Sequence, residues 1–217
     1  VGAVDLGQQD AVGRARDERR CPCEVRLRLG ELADRDVAMP AVPVEARVVR
    51  PSVDAWDFTS FAMAVVAADE AVSRERSPDG WTREIGLTVA VSLPDFWNSQ
   101  RARLTQALRF LSGDIWELDF IGDGAAPTTS DPSRLRNEDM VCLLSGGMDS
   151  LIGAIDVVGE GRSPLFVSQM AKGDTADQKM FAHAIAPHSL HLQLNHHARP
   201  PGPSERSQRA RSIAFLG

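Results

Sequence analysis

The chain has 217 residues, 43% hydrophobic and 25% charged, with a formal net charge of −6. That length holds one large domain or two small ones, and the negative balance argues against a dedicated nucleic-acid surface. No apolar run approaches the roughly 18 residues of a membrane span, and the polar, Arg- and Asp-rich start lacks the apolar core of a secretory signal, so a cytoplasmic protein without membrane attachment is expected.

Residues 1–36 lack periodicity and are expected to form a disordered leader. Cys21-Pro22-Cys23 is too tight for a zinc-knuckle pair and has no matching cysteines downstream. With Cys142 the only other cysteine, no disulfide framework is implied. Residues 37–122 read as a separate α+β domain. Val42 to Val49 alternates like a strand, and Trp56 to Arg74 carries apolar residues at helical spacing. Ser77-Pro78-Asp79-Gly80 is a turn by composition. Ile85, Leu87, Val89, Val91 and Leu93 alternate strictly, as a half-buried strand does. Pro94 and Asp95 open a helix that ends near Ser112-Gly113, and Ile115 to Phe120 closes the domain as a strand.

Residues 123–138 form a linker, dense in Gly, Pro, Ser and Thr. From Asp139 the pattern alternates between strand and helix: strand 141–144, helix 150–159, strand 165–169, helix 175–186, strand 189–194 and a last helix from Ser204. Such alternation predicts a doubly wound parallel sheet over residues 139–217. Only three strands are found after Asp139, and the last helix stops at Gly217 in an apolar stretch. The expectation is therefore a C-terminally truncated domain, inactive by itself.

The most informative segment is Ser145-Gly146-Gly147-Met148-Asp149-Ser150, set between an apolar strand and a helix. Glycines let the backbone approach a ligand, and the unpaired N–H groups of a helix start face an anion. It is not a Walker A loop, since no Gly-Lys-Ser/Thr follows, and it is not the Gly-x-Gly-x-x-Gly of dinucleotide folds. The bland alternative is a Gly-Gly turn capped by Asp149 or Ser150. Ligands of open α/β sheets sit beyond the carboxyl ends of the strands, where Ser145, Ser168, Gln169 and Asn195 fall.

SGGxDS resembles the pyrophosphate loop of the PP-loop ATP pyrophosphatases, and a chance match of its five fixed positions is on the order of 10⁻⁴ to 10⁻³ in a chain of this length. The resemblance implies that Ser145, Gly146, Gly147, Met148, Asp149 and Ser150 hold the pyrophosphate half of ATP. Asp149 and Ser150 are then the catalytic candidates, with Asp149 helping to organise the loop and Mg²⁺. Ser168, Lys172 and Arg209 are the further candidates for nucleotide contact. SGGMDS, the strand LFVSQ and the final segment SERSQRARSIAFLG resemble the QueC branch, the 7-cyano-7-deazaguanine synthases. The segments VVAADEAVSR, GWTREI and LRFLSGDIWELDF look like the QatC family, the QueC-like component of bacterial Qat anti-phage systems, over roughly residues 37–217.

What this implies is adenylation of a carboxylate, with release of pyrophosphate, in the company of other Qat-system proteins. Two departures limit the carry-over. The QueC zinc cysteine cluster is absent, so zinc is expected only in a C-terminal part outside this sequence. SQMAKGD also replaces the segment after the second QueC strand. His183, His188, His191, His196 and His197 are assigned no metal, because His191 alternates with leucines and the last two border a Pro-rich loop. Two other functions stay open: a non-catalytic nucleotide-binding component of such a complex, and a tRNA-modifying or amide-forming PP-loop synthetase.

Overall fold

The computed structural model describes residues 5–6, 23–27, 37–38, 51–124, 138–170, 175–194, 197–198 and 205–215. The chain is mixed α/β, with parallel strands in two small sheets. It divides into two compact units: residues 1–38, 51–127 and 197–217 form the first, and residues 39–50 and 128–196 the second. No helix among the described residues is long and apolar enough to cross a membrane.

In the first unit the order is β1 (Asp5–Leu6), β2 (Cys23–Leu27), β3 (Val37–Ala38), α1 (Val53–Ala71), a 3₁₀ turn (Arg74–Arg76), β4 (Glu84–Ala90), α2 (Pro94–Ser112) and β5 (Ile115–Ile121). The main sheet runs β1-β2-β4-β5. β2 lies parallel to β4, with Cys23 opposite Ile85 and Leu27 opposite Val89, and β4 lies parallel to β5. Parallel neighbours need a crossover, which α2 supplies between β4 and β5, so this unit pairs as α/β and not as the expected α+β module. The expected leader also differs: Asp5–Leu6 and Cys23–Leu27 are strands of this sheet. The strand expected at Val42–Val49 lies outside the described residues.

Alternation decides which strand residues enter the core. Ile85, Leu87 and Val89 of β4 and Trp116, Leu118 and Phe120 of β5 are buried, together with Phe61, Val65 and Ala68 of α1. α1 is buried on every side from Phe61 to Asp69, as expected of a helix without a polar face. Ser52 caps its start, accepting the Ala55 N–H at 3.4 Å. The first turn of α2 has no cap from its own Leu93. Asp57 of α1 holds the chain just ahead of it, accepting the N–H groups of Ser92 (2.8 Å) and Leu93 (3.0 Å), together with the indole N–H of Trp97 (3.1 Å). Gly113 ends α2 at φ 75°, the left-handed conformation that favours glycine.

A buried ion cluster joins these elements. Arg83, 1% exposed, bonds to the carboxylates of Asp69 and Asp114, and Arg74 makes a two-pronged pair with Asp114 at 2.8 and 3.0 Å. Burial opposes ionisation of Asp114, but hydrogen bonds from Arg83 and Arg74 outweigh it and hold its carboxyl below the usual range. Two guanidinium groups against two carboxylates leave the cluster neutral, which is how such charges survive burial.

The second unit runs β6 (Met140–Leu143), α3 (Met148–Gly159), β7 (Pro164–Gln169), α4 (Thr175–Ile185) and β8 (His191–Leu194). Its three strands are parallel in the order β6-β7-β8, with Val141 opposite Leu165 and Phe166 opposite His191. Cys142, Leu144 and Phe166 pack against Ala154 and Val158 of α3 and Phe181, Ala182 and Ile185 of α4. Both helices therefore cover one face, and among the described residues the sheet is wound on one side only, not doubly. Val141, Leu143, Leu165 and Val167 point to the other face by alternation.

Returning to the first unit, β9 (His197–Ala198) pairs antiparallel with β3, and a 3₁₀ helix (Ala210–Phe215) follows. The expected long helix from Ser204 is thus a short 3₁₀ segment among the described residues. It belongs to the first unit and not to the domain expected over 139–217. The physical reason lies in its contacts there. The Ala210 N–H bonds to Asp69 at 2.9 Å, Glu205 accepts the Arg74 N–H at 2.8 Å, and Ala210 and Ile213 enter the first unit's core.

Candidate functional site

β6 ends at Leu143, Leu144 keeps one more backbone bond to Val167 (2.8 Å), and the chain then leaves the sheet as Ser145-Gly146-Gly147 before α3 begins. Gly146 sits at φ 93°, a conformation that costs a side-chain-bearing residue strain. Its turn carries the chain from the strand end to the helix start. Gly147 is the N-cap of α3 and has no side chain to cap with. The first helical bond runs from the Leu151 N–H to the Gly147 carbonyl at 3.1 Å. The N–H groups of Met148, Asp149 and Ser150 therefore have no acceptor within the helix. Uncapped donors and the positive end of the helix dipole meet at one exposed point, which suits an anion.

The two serines close the loop on itself. A hydroxyl has one proton to give, and Ser150 gives its own to the Gly147 carbonyl at 2.9 Å. In the 3.0 Å contact between the two hydroxyls Ser145 is therefore the donor, while it accepts the Gly147 N–H at 3.3 Å. Ser145 and Asp149 are exposed, and Asp149 has no hydrogen-bond or ion-pair partner among the described residues. The exposed Asp149 carboxylate is a hard oxygen donor of the kind Mg²⁺ takes. Cys142, in the strand entering the loop, is half-buried, and burial pushes its thiol up, so it is no thiolate nucleophile near neutral pH.

Of the residues expected at the site, Ser145, Gly146, Gly147, Met148, Asp149 and Ser150 form this one loop. Ser168 stands at the end of β7, but it is 2% exposed and its hydroxyl is taken up, donating to the Leu144 carbonyl and meeting His191 Nε2 at 2.8 Å. Lys172 and Asn195 lie outside the described residues. Arg209 belongs to the first unit, where its guanidinium lies 4.1 Å from the centre of the Trp81 ring, a cation–π contact. No group of three or more His, Cys, Asp or Glu that could hold a metal occurs among the described residues.

Gln178 escaped the sequence reading. It is 1% exposed on α4 and donates to the carbonyls of Ser145 (3.0 Å) and Gln169 (3.1 Å), while its own oxygen accepts from Gln193 at 3.0 Å. A signal existed: Gln178, Phe181, Ala182 and Ile185 share one helix face, and a single amide in an apolar stripe marks a buried polar contact. No family model, curated protein or solved structure matches the chain.

Proposed function

We propose that the chain is a QueC-like PP-loop protein that binds ATP at residues 145–150 and activates a carboxylate by adenylation, as the QatC-like component of a Qat-type anti-phage system. The carboxylate oxygen attacks the α-phosphorus, the bond from that phosphorus to the bridging oxygen breaks, and pyrophosphate leaves with the electron pair. One observation carries the reading: SGGMDS leaves the carboxyl end of a parallel strand and delivers an uncapped helix N-terminus. Those donors stabilise charge as it develops on the departing pyrophosphate. Asp149 would hold Mg²⁺, whose charge would offset that of the phosphates. Ser145 exchanges its bond to Ser150, and Ser150 its bond to the Gly147 carbonyl, for phosphate oxygens. The absence of a P-loop lysine at the loop favours cleavage between the α and β phosphates over γ-phosphoryl transfer.

Chromatographic analysis of the products tests this. Full-length protein supplied with its acceptor should convert ATP to AMP and pyrophosphate, and accumulation of ADP with orthophosphate overturns the assignment. Ser145→Ala and Asp149→Ala should each reduce nucleotide binding or phage protection at least tenfold, since each removes a charge-assisted contact of about 1.5–3 kcal/mol. The loop's exposure means both variants should keep their folding midpoint. Wild-type behaviour of both at equal expression refutes a functional loop.

A further inference from the structure

We propose that Gln178 is the positioning residue of the 145–150 loop, acting with Ser168 to fix the carbonyls on which the loop hangs. Beyond β6 the chain has left its strand ladder, so its next carbonyls need other partners. The Leu144 carbonyl accepts the Ser168 hydroxyl, and the Ser145 carbonyl accepts the Gln178 amide at 3.0 Å. The same amide nitrogen holds the Gln169 carbonyl at 3.1 Å, so one side chain ties the ends of β6 and β7 to α4. Its orientation is not free. Gln193 donates to the Gln178 oxygen at 3.0 Å and to the Thr175 carbonyl at 2.9 Å, so the Gln178 nitrogen must face the two strand ends. The Ser145 peptide carries into Gly146 at φ 93°, and from there sets where the donors of α3 point. Rotating that peptide turns the donors away from any anion they face. Gln178 itself is buried. It acts through the loop backbone.

This inference rests on the ATP-binding reading for its functional consequence, but its structural half is measured without nucleotide. Amide hydrogen exchange in the free protein should show Gly147 and Leu151, whose N–H groups bond to Ser145 Oγ and to the Gly147 carbonyl, exchanging at least threefold faster in Gln178→Met than in wild type. Amides in the middle of α3 should stay unchanged. Unaltered exchange in the loop overturns the positioning role. MgATP affinity, measured by calorimetry, should fall about tenfold in Gln178→Met, the loss of one buried bond's worth of preorganisation.

Gln178→Glu provides the reading that mere space-filling does not move. At pH 8 its carboxylate faces two carbonyl oxygens and repels them. On acidification it regains a proton to donate, so MgATP affinity should recover at least threefold between pH 8 and pH 5.5 relative to Gln178→Met. A flat pH profile in Gln178→Glu overturns the proposal even if Gln178→Met fails to fold. A wild-type protein that does not bind MgATP removes the ATP reading, and the exchange measurement then still decides the role of Gln178.

Discussion

His191 shows how far a single proton can be traced. Because Ser168 donates to the Leu144 carbonyl, the proton in the Ser168–His191 contact belongs to His191 Nε2. Ser168 thus keeps its own proton on a carbonyl, and the pair is not an activated nucleophile of the Ser–His kind. Burial, and then the nearby positive charge of Lys179, push the His191 imidazole below its ordinary value. A depressed imidazole binds protons more weakly folded than unfolded. Its stabilising contribution is therefore complete above the ordinary value of about 6.5 and is lost as pH falls toward the folded value. Urea unfolding at pH 7.5 and 5.5 should show wild type losing more stability on acidification than His191→Asn. Equal losses in the two proteins contradict the assignment. Ser168 is the instructive neighbour: its position at a strand end was readable, whereas the direction of its hydroxyl depended on the register between β6 and β7.

Among the elements, those made by local periodicity were legible almost to the residue. α2 runs from Pro94 to Ser112 with Gly113 as its left-handed cap, because Pro fits a first turn and Gly a last one. β4 and β5 follow their alternation for the same reason, each burying one face. β2 was missed. Its five residues, Cys-Glu-Val-Arg-Leu, sit among charges, and a short strand acquires its stability from the partner it pairs with, here β4, far along the chain. The turn between β6 and α3 was legible through its glycines, and it supports a prediction at this scale. Gly146→Ala at φ 93° should cost of order 1–3 kcal/mol in backbone strain or move the loop to escape it. Thermal unfolding and MgATP titration together check this. A variant with unchanged midpoint and unchanged affinity shows that the left-handed turn is dispensable.

At the scale of the whole chain, the described residues of the second unit leave part of that unit's apolar surface uncovered. Val141 is 58% exposed and Leu143 45% exposed on the open sheet face, while Met148 (71%), Ile152 (50%) and Ile155 (52%) line one side of α3. Residues 148, 152 and 155 recur at helical spacing, so this is a stripe and not scattered exposure. β6 also has no strand partner on its outer edge among the described residues. Parallel sheets are ordinarily covered on both faces, and an apolar strand edge is prone to pairing with another chain. The 217-residue chain should accordingly bind a hydrophobic dye and self-associate with rising concentration in sedimentation measurements. Val141→Thr with Ile152→Gln should lessen both effects. A monomer that binds no dye up to about 1 mM, the top of the micromolar-to-millimolar range where such surfaces associate, contradicts this expectation.

The sequence by itself determined the elements from α1 to β5 and from β6 to β8, their alternation, and the glycine turn before α3. Each of these follows from the spacing of neighbouring residues or the φ preference of a single one. Only the tertiary structure decided that β2 joins the first sheet, and that α3 and α4 share one face. It alone also placed residues 205–215 with the first unit, against Asp69 and Arg74, and made Gln178 the support of the loop. These outcomes depend on pairings across long stretches of chain, where a buried carboxylate, carbonyl or apolar face takes whichever distant partner satisfies it.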